Sequence, residues 1–153
     1  MRAAGLLAKA GAEVTLTSRR AVEPAFLQGL TSRFGGSVRA VVLADAAQAA
    51  AVLEGAEVIV NAGPAGVCLI PKSAWAGRPG LRAVADLNAV PPMGVEGVEV
   101  QDSAVERDGV VVYGALGVGS LKMKVHKACV ARLFERNDLV LDAETIADVA
   151  SQL

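Results

Sequence analysis

The sequence alternates short runs of β-branched residues with segments of helical composition along almost its whole length. The runs Glu13–Thr17, Val38–Leu43 and Glu57–Asn61 are typical of strands, and each follows a stretch of helical composition. Consecutive parallel strands need a long crossover, usually a helix, so this alternation favours a parallel sheet with right-handed crossovers. The predicted fold class is therefore α/β, with a doubly wound, mostly parallel sheet.

The remaining elements continue this pattern. Strands are also predicted at Arg82–Leu87 and Val110–Tyr113, and helices at Arg2–Ala10, Pro24–Phe34, Ala46–Leu53, Pro71–Trp75, residues 120–136 and a last segment capped by Asp142. Apolar residues make up 53% of the 153 residues and charged residues 20%. This composition predicts strands buried on both faces, and the length predicts a single domain over residues 1–153.

Composition also excludes several classes of function. Aromatic residues are 3% of the chain and the net charge is -1, so neither base stacking nor a basic surface supports nucleic-acid binding. No uninterrupted apolar run reaches the ~20 residues of a membrane span, and no secretory signal is recognisable, so a cytoplasmic protein is expected. Cys68 and Cys129 form no CxxC motif or Cys/His cluster, so no metal site is predicted.

The start of the chain differs from the usual start of such a fold. Residues 1–8 have helical composition and no strand before them. A dinucleotide-binding fold normally begins with a buried strand and a G-x-G-x-x-G turn whose amides face the pyrophosphate. We therefore expect a domain truncated at its N-terminus, whose first strand and glycine-rich loop lie upstream or come from another chain.

The glycines of Gly114–Gly119 do not replace that turn. They leave a strand and precede a helix, but their G-x-x-G-x-G order reverses the usual spacing. We interpret the segment as a loop in which the backbone passes close to a ligand. Ala115 and Gly117 are accordingly predicted to contact a cofactor.

Ser18, Arg19 and Arg20 follow a strand that, in a doubly wound sheet, ends beside the adenosine ribose of a dinucleotide. An acidic residue there would bind a ribose 2′-hydroxyl, whereas guanidinium groups pair with a 2′-phosphate. These three residues therefore predict NADP as the cofactor, with NAD as an alternative. Two solvated arginines at a strand end are the simpler explanation, and this alternative stays open.

Two further strand ends carry small or polar residues. Asn61, Ala62 and Gly63 follow one strand and would let the backbone approach the ribose and nicotinamide of a cofactor. Asp86 and Asn88 follow another strand, just before two prolines, where polar groups can be aimed into a crevice. All five are predicted to bind the cofactor, with a tight turn and an Asx turn as the alternatives.

Alternating charges follow the glycine segment. Lys122 and His126 are four residues apart and share one helix face, while Lys124 points away. Cations near a helix N-terminus are electrostatically disfavoured, so their presence indicates a role with an anion or a developing negative charge. A solvated helix face is the alternative, and His126 alone is interpreted as a structural residue.

Four segments together resemble one enzyme family, the NAD(P)-dependent methylenetetrahydromethanopterin and methylenetetrahydrofolate dehydrogenases. They are Ala10–Val14 with Arg19, Asn61–Gly63, Ala85–Gly94 (ADLNAVPPMG) and Tyr113–Cys129 (YGALGVGSLKMKVHKAC). The resemblance covers nearly the whole chain. The string GALGxGxLKxKxH is far more specific than any glycine motif alone.

The resemblance implies a Rossmann-like, NADP-binding domain of an enzyme of one-carbon metabolism. The implied reaction is hydride transfer from a methylene-tetrahydropterin to NADP, and from the resemblance we expect the family's N-terminal pterin-binding domain to lie outside these 153 residues. It also implies that Lys122 is the catalytic lysine, near the substrate cleft, with a positioning role.

Two other functions remain open at this stage. The chain resembles, more weakly, NADP oxidoreductases of the shikimate-dehydrogenase type. The other alternative is a non-catalytic remnant whose sheet is completed by a strand from a partner chain. Either a homo-oligomer or a complementing chain is expected, and the isolated domain is expected to be inactive if the missing parts are essential.

Overall fold

The computed structural model describes residues 2–153. These residues form six α-helices and six strands, and a short 3-10 turn, Ala46–Gln48, precedes the third helix. Helices and strands alternate as far as the fourth strand; two further strands and then two helices follow. The elements in chain order are α1 (Arg2–Lys9), β1 (Glu13–Ser18), α2 (Pro24–Phe34), β2 (Ser37–Val42), α3 (Ala49–Val52), β3 (Val58–Asn61), α4 (Lys72–Trp75), β4 (Ala83–Asp86), β5 (Ser103–Arg107), β6 (Val110–Tyr113), α5 (Ala115–Leu133) and α6 (Ala143–Ala150). The predicted α/β class with mostly parallel strands is confirmed.

The chain divides into two units. One contains the residues up to Ala44 together with Lys124–Leu153, and the other is Asp45–Met123. That residues 1–153 form a single domain stays a prediction. Among residues 2–153, none of the helices combines the length and the hydropathy of a membrane span.

The first unit contains a two-stranded parallel sheet. β1 pairs with β2 from Glu13 opposite Ser37 to Ser18 opposite Val42. α1 packs closely on α2 because Gly5 has no side chain: a Cβ there would lie 2.6 Å from Cγ of the buried Phe34 ring. Next to Phe34, at the C-terminal end of α2, Arg33 donates hydrogen bonds to Glu144, and these bonds tie α2 to the first turn of α6.

The second unit contains a four-stranded sheet in the order β3-β4-β6-β5. β4 pairs in parallel with β3 and β6, and β5 is antiparallel to β6. Ile59 and Val84 are buried on one face, whereas their neighbours Val58 and Val60 are 57% and 42% exposed. The prediction of strands buried on both faces is therefore wrong for β3, which follows the two-residue alternation of a strand covered on one side.

Several helix ends lie where capping residues, proline and glycine predicted them from the sequence. α2 begins at Pro24 and ends at Phe34, as predicted, with Gly35 at its C-terminal end. Asp45 caps the 3-10 turn by accepting from the amides of Ala47 and Gln48. Asp142 likewise caps α6, accepting from the amide of Thr145.

Two predictions about the C-terminal half are wrong. The long helix α5 begins at Ala115, not at residue 120, so most of the glycine segment is helical. β5 was not predicted at all. Its pairing with β6 is interrupted by a bulge at Ala104, whose φ is 55°. The start of α5 depends on contact with residues 99–103, which the residues of the helix itself do not reveal. β5 instead forms a hairpin with β6, and its Asp108-Gly109 turn was a local signal that sequence reasoning missed.

A pair of glycine-to-alanine variants separates helix propensity from packing. Alanine is a better helix former than glycine by about 1 kcal/mol, so propensity alone predicts stabilisation at both Gly5 and Gly29. Around Gly29 there is open space, so Gly29→Ala should raise the free energy of unfolding by about 0.5–1 kcal/mol. Gly5→Ala should instead lower it by about 1–3 kcal/mol, because the new methyl group overlaps Phe34.

Urea denaturation of both variants measures the two changes. A stabilised Gly5→Ala protein would show that α1 and α2 do not pack as described.

Candidate functional site

The end of β1 opens into a cleft whose lining includes Ser18, Arg19 and Arg20, with a volume of about 540 Å³. Ser18 fixes the turn: its carbonyl oxygen accepts from the Leu43 amide at 2.8 Å and its Oγ from the Arg20 amide at 3.4 Å. Both arginine side chains are exposed, and within residues 2–153 neither takes part in an ion pair. The three residues predicted to bind a phosphate thus lie together, with both positive charges available to an anion.

A buried carboxylate lies at the carboxyl end of β4 in the second unit. Asp86 is 0% exposed and both of its oxygens are occupied. Oδ1 accepts from Asn61 Nδ2 at 2.7 Å and from the Asn88 amide at 3.0 Å, and Oδ2 accepts from the Val95 amide at 2.8 Å. We call Asn61, Asp86 and Asn88 the amide–carboxylate cluster.

The cluster connects three loops by hydrogen bonds. Asn61, at the end of β3, accepts from the Gly63 amide at 3.2 Å, and Asn88 donates to the carbonyl of Pro64 at 3.2 Å. The segments after β3 and β4 are therefore held together, and the Val95 amide adds the loop that precedes β5. A buried charge without such partners would be strongly unfavourable, so the cluster fixes all three loops in one arrangement.

Gly94 closes the cluster on one side. A Cβ at this position would lie 2.8 Å from Asn88 Nδ2 and would also overlap the Asn61 amide. The carbonyl of Gly94 accepts from the amides of Leu69 and Ile70 at 2.9 and 3.0 Å. Any other residue would therefore push the loop away from the Asn61 and Asn88 side chains. Gly63 is similarly close-packed, against Leu69.

The predicted cofactor contacts Asn61, Ala62, Gly63 and Asn88 thus lie in loops that the cluster joins, and Ala62 is exposed. Asp86 belongs to the same cluster, but its carboxylate oxygens accept hydrogen bonds from protein donors. It can therefore affect a ligand only by positioning the residues that it contacts.

The glycines at the start of α5 are used for packing within the protein. A Cβ on Gly114 would lie 2.6 Å from the Val100 carbonyl oxygen, and one on Gly117 would lie 2.8 Å from the Asp102 carbonyl carbon. The Gly114 amide donates to Asp102 O at 2.9 Å and the Leu116 amide to Val100 O at 2.8 Å. Because protein carbonyls occupy these two amides, this turn offers neither of them to a phosphate.

Ala115 and Gly117 form the first turn of α5, and their contact with a cofactor stays a prediction. Lys122 and His126 share one face of α5, four residues apart, and both are exposed. Since α5 begins at Ala115, Lys122 lies two turns inside the helix. The argument that its charge is disfavoured by the helix N-terminus therefore does not apply.

A second buried carboxylate supports the start of α5. Asp102 is 3% exposed and forms a two-pronged ion pair with Arg107, at 2.7 Å from Nη2 and 2.9 Å from Nε. Its Oδ2 also accepts from the Glu99 amide at 2.8 Å. The Arg107 hydrogen bonds, helped by the Glu99 amide, hold the pKa of Asp102 below its ordinary 3.8, although burial acts in the opposite direction.

Sequence reasoning missed Gly94, Val95, Asp102 and Arg107. Val95 contributes a backbone amide, for which side-chain chemistry gives no signal. Gly94 ends the ADLNAVPPMG segment, and a glycine after two prolines was the available hint that backbone and side chains meet there. Asp102 and Arg107 are separated by an irregular strand, so no helical or strand periodicity marked them as a pair.

The Asp102–Arg107 pair yields a prediction with a defined pH dependence. Asparagine has the same shape as aspartate but accepts on one side only, so Asp102→Asn should lower the free energy of unfolding by about 2 kcal/mol at neutral pH. The folded-state pKa of Asp102 is lowered, so its stabilisation is complete above the unfolded value of 3.8 and disappears as the pH falls through the folded value. The difference between wild type and variant should therefore shrink in acid.

Denaturation at a series of pH values tests this. Asp138→Asn is the matched control, because Asp138 pairs with Arg136 but its side chain is 67% exposed. It should change stability little. Equal effects of the two variants would contradict the role given to Asp102.

Comparison with known proteins gives two related sequences, and no family model matches the chain. The protein of Methylorubrum extorquens named bifunctional protein MdtA is 41% identical over 144 residues, which are 94% of this chain and 50% of that protein. The NAD(P)-dependent methylenetetrahydromethanopterin dehydrogenase of the same organism is 36% identical over 115 residues, which are 72% of this chain and 38% of that enzyme.

The chain therefore spans half or less of the length of these curated relatives. These similarities agree with the resemblance indicated by the Tyr113–Cys129 segment. Over most of its own length the chain is similar to part of a protein named as an NAD(P)-dependent methylenetetrahydromethanopterin dehydrogenase.

Proposed function

We propose that the chain is the cofactor-binding part of an NADP-dependent dehydrogenase that oxidises a methylene-tetrahydropterin. The observation that carries the proposal is the cleft at the end of β1, where Arg19 and Arg20 are exposed and form no ion pair within the described chain. The name of the relative that is 36% identical supports both the nicotinamide cofactor and the pterin substrate. The direct assay is reduction of NADP by methylene-tetrahydromethanopterin, compared with methylene-tetrahydrofolate.

The residues present fit the adenosine phosphate of NADP. Two guanidinium groups beside a serine hydroxyl provide several donors for a dianionic phosphate. A 2′-hydroxyl would use few of these donors, and no carboxylate is among the three lining residues to accept from it. The amides of Gly114 and Leu116 are already bonded to protein carbonyls, so the pyrophosphate would have to be bound by other groups.

Removal of the arginine charges tests this assignment. The double variant Arg19→Gln, Arg20→Gln should weaken binding of NADP and of 2′,5′-ADP by at least about tenfold, because each charge-assisted hydrogen bond contributes about 1.5–3 kcal/mol. Binding of NAD should change little, so the ratio of the two dissociation constants should approach one.

Isothermal titration calorimetry gives these constants. Arg136→Gln, which removes an exposed arginine paired with Asp138, is the control and should leave the ratio unchanged. A preference for NADP that survives loss of both arginines would show that the 2′-phosphate binds elsewhere.

The proposed hydride transfer does not require a general acid or a general base from the protein. When bound, NADP would accept the hydride lost by the methylene carbon of the substrate, which leaves a methenyl cation and releases no proton. The protein's contribution is then to hold two rings in contact and to exclude water. The amide–carboxylate cluster suits that task, since its loops are fixed by buried hydrogen bonds.

Lys122 is proposed as the catalytic lysine of this reaction, in contact with the pterin. Its ammonium group is exposed on α5, and His126 lies one turn further along the same face. A cation here would orient the polar edge of the pterin through charge-assisted hydrogen bonds.

Lys122→Ala should lower turnover with methylene-tetrahydropterin by about tenfold or more and leave the Kd for NADP nearly unchanged. The matched control is Lys124→Ala, because Lys124 is also exposed but lies on another side of the same helix. Absorbance of the NADPH formed measures turnover. Parallel losses of turnover and NADP binding would instead point to a folding role for Lys122.

A further inference from the structure

One side-chain oxygen of the amide–carboxylate cluster has no partner in the protein. Asn88 is 8% exposed, its backbone amide donates to Asp86, and its Nδ2 donates to the Pro64 carbonyl at 3.2 Å. Within residues 2–153 its Oδ1 accepts no hydrogen bond. This oxygen still reaches solvent, because no fully buried side-chain oxygen of the described chain lacks a partner.

The orientation of the Asn88 amide is determined by its surroundings. Reversing it would place Oδ1 against the Pro64 carbonyl oxygen, and two acceptors would then face each other. The backbone of Asn88 is held by Asp86, and a Gly94 Cβ would lie 2.8 Å from its Nδ2, so the side chain has little room to move. The cluster therefore presents one fixed, unpaired hydrogen-bond acceptor.

This acceptor lies just beyond the carboxyl end of β4. In open α/β sheets, ligands bind outside the carboxyl ends of the strands. The neighbouring turn from Asn61 to Gly66 contains four small residues and one proline, and Ala62 and Ala65 are exposed, so a planar ring can approach this part of the turn without meeting large side chains. The sequence predicts that Asn61, Ala62 and Gly63 approach the nicotinamide through their backbone, and no side-chain atom has yet been assigned to its carboxamide.

We propose that Asn88 Oδ1 accepts a hydrogen bond from the amino group of the nicotinamide carboxamide, and that Asp86 is the positioning residue that holds Asn88 in place. This inference rests on the proposed function, since it requires a nicotinamide cofactor. It adds an atom-level assignment: Asn88 recognises the carboxamide, while Asp86 touches only protein. Asn61 connects the same carboxylate to the turn after β3.

The experiment compares NADP with its 3-acetylpyridine analogue, in which a methyl group replaces the amino group of the carboxamide. Wild-type protein should bind NADP about tenfold more tightly than the analogue, the equivalent of one lost hydrogen bond. Asn88→Ala should bind the two with nearly equal Kd values. Equilibrium titration, without turnover, gives all of these constants.

Asp86→Asn tests the positioning role. Either orientation of the new amide directs an N–H group at a donor, so Asn88 should lose its fixed position and the preference for NADP should fall to about twofold or less. Leu81→Ala is the matched control, because Leu81 is 5% exposed and lies just before the opposite end of β4. It should destabilise the same unit and keep the wild-type preference.

The outcomes separate the two levels of the proposal. If no dinucleotide binds, the proposed function fails and this inference fails with it. Tight NADP binding without a preference over the analogue overturns only the role of Asn88, and that measurement on the wild-type protein needs no variant to fold. A preference retained in Asn88→Ala, or pterin affinity lost there while the preference stays, also overturns it. Equal preferences in Asp86→Asn and Leu81→Ala overturn the positioning role of Asp86.

Discussion

The buried carboxylate of Asp86 is the constraint on which the rest of the second unit depends. A charge that is 0% exposed needs several donors, and the protein supplies them from Asn61, Asn88 and Val95. Those donors belong to three different loops, so satisfying one carboxylate determines where all three lie. The sheet provides a fixed platform for this arrangement, because Asp86 is the last residue of β4 and pairs in register with Asn61 at the end of β3.

Local chemistry explains which elements were predictable. α2 has proline in its first turn and glycine after its last residue, and the short-range hydrogen bonds of Asp45 and Asp142 define two further starts. The start of α5 was not predictable in this way, because Gly114 and Gly117 have the composition of a loop. They become part of a helix boundary only because the backbone of residues 99–103 passes against them, and that contact is not visible from neighbouring residues.

The candidate site shows the same division. Parallel pairing places the ends of β3 and β4 side by side, so the proximity of Asn61, Asp86 and Asn88 followed from recognising the two strands. The sequence did not predict which of these side chains would face a ligand and which would contact only protein donors. An aspartate at a strand end has the same sequence signature whether it faces a ligand or, as here, three protein donors. Only burial and hydrogen-bond direction distinguish the two cases, and two of the three donors, the Asn61 side chain and the Val95 amide, come from other segments of the chain.

The packing of Gly114 and Gly117 also limits what can be inferred when the string GALGxGxLKxKxH is found in another protein. Backbone carbonyl groups of the same chain lie so close to both glycines that no side chain fits there. Substitution of either glycine would displace the backbone that passes against the start of α5. A protein that had lost all affinity for nucleotides would keep these glycines as long as it kept its shape. These two glycines are therefore a marker of shared architecture, and their presence alone does not justify transferring an activity from one protein with the string to another.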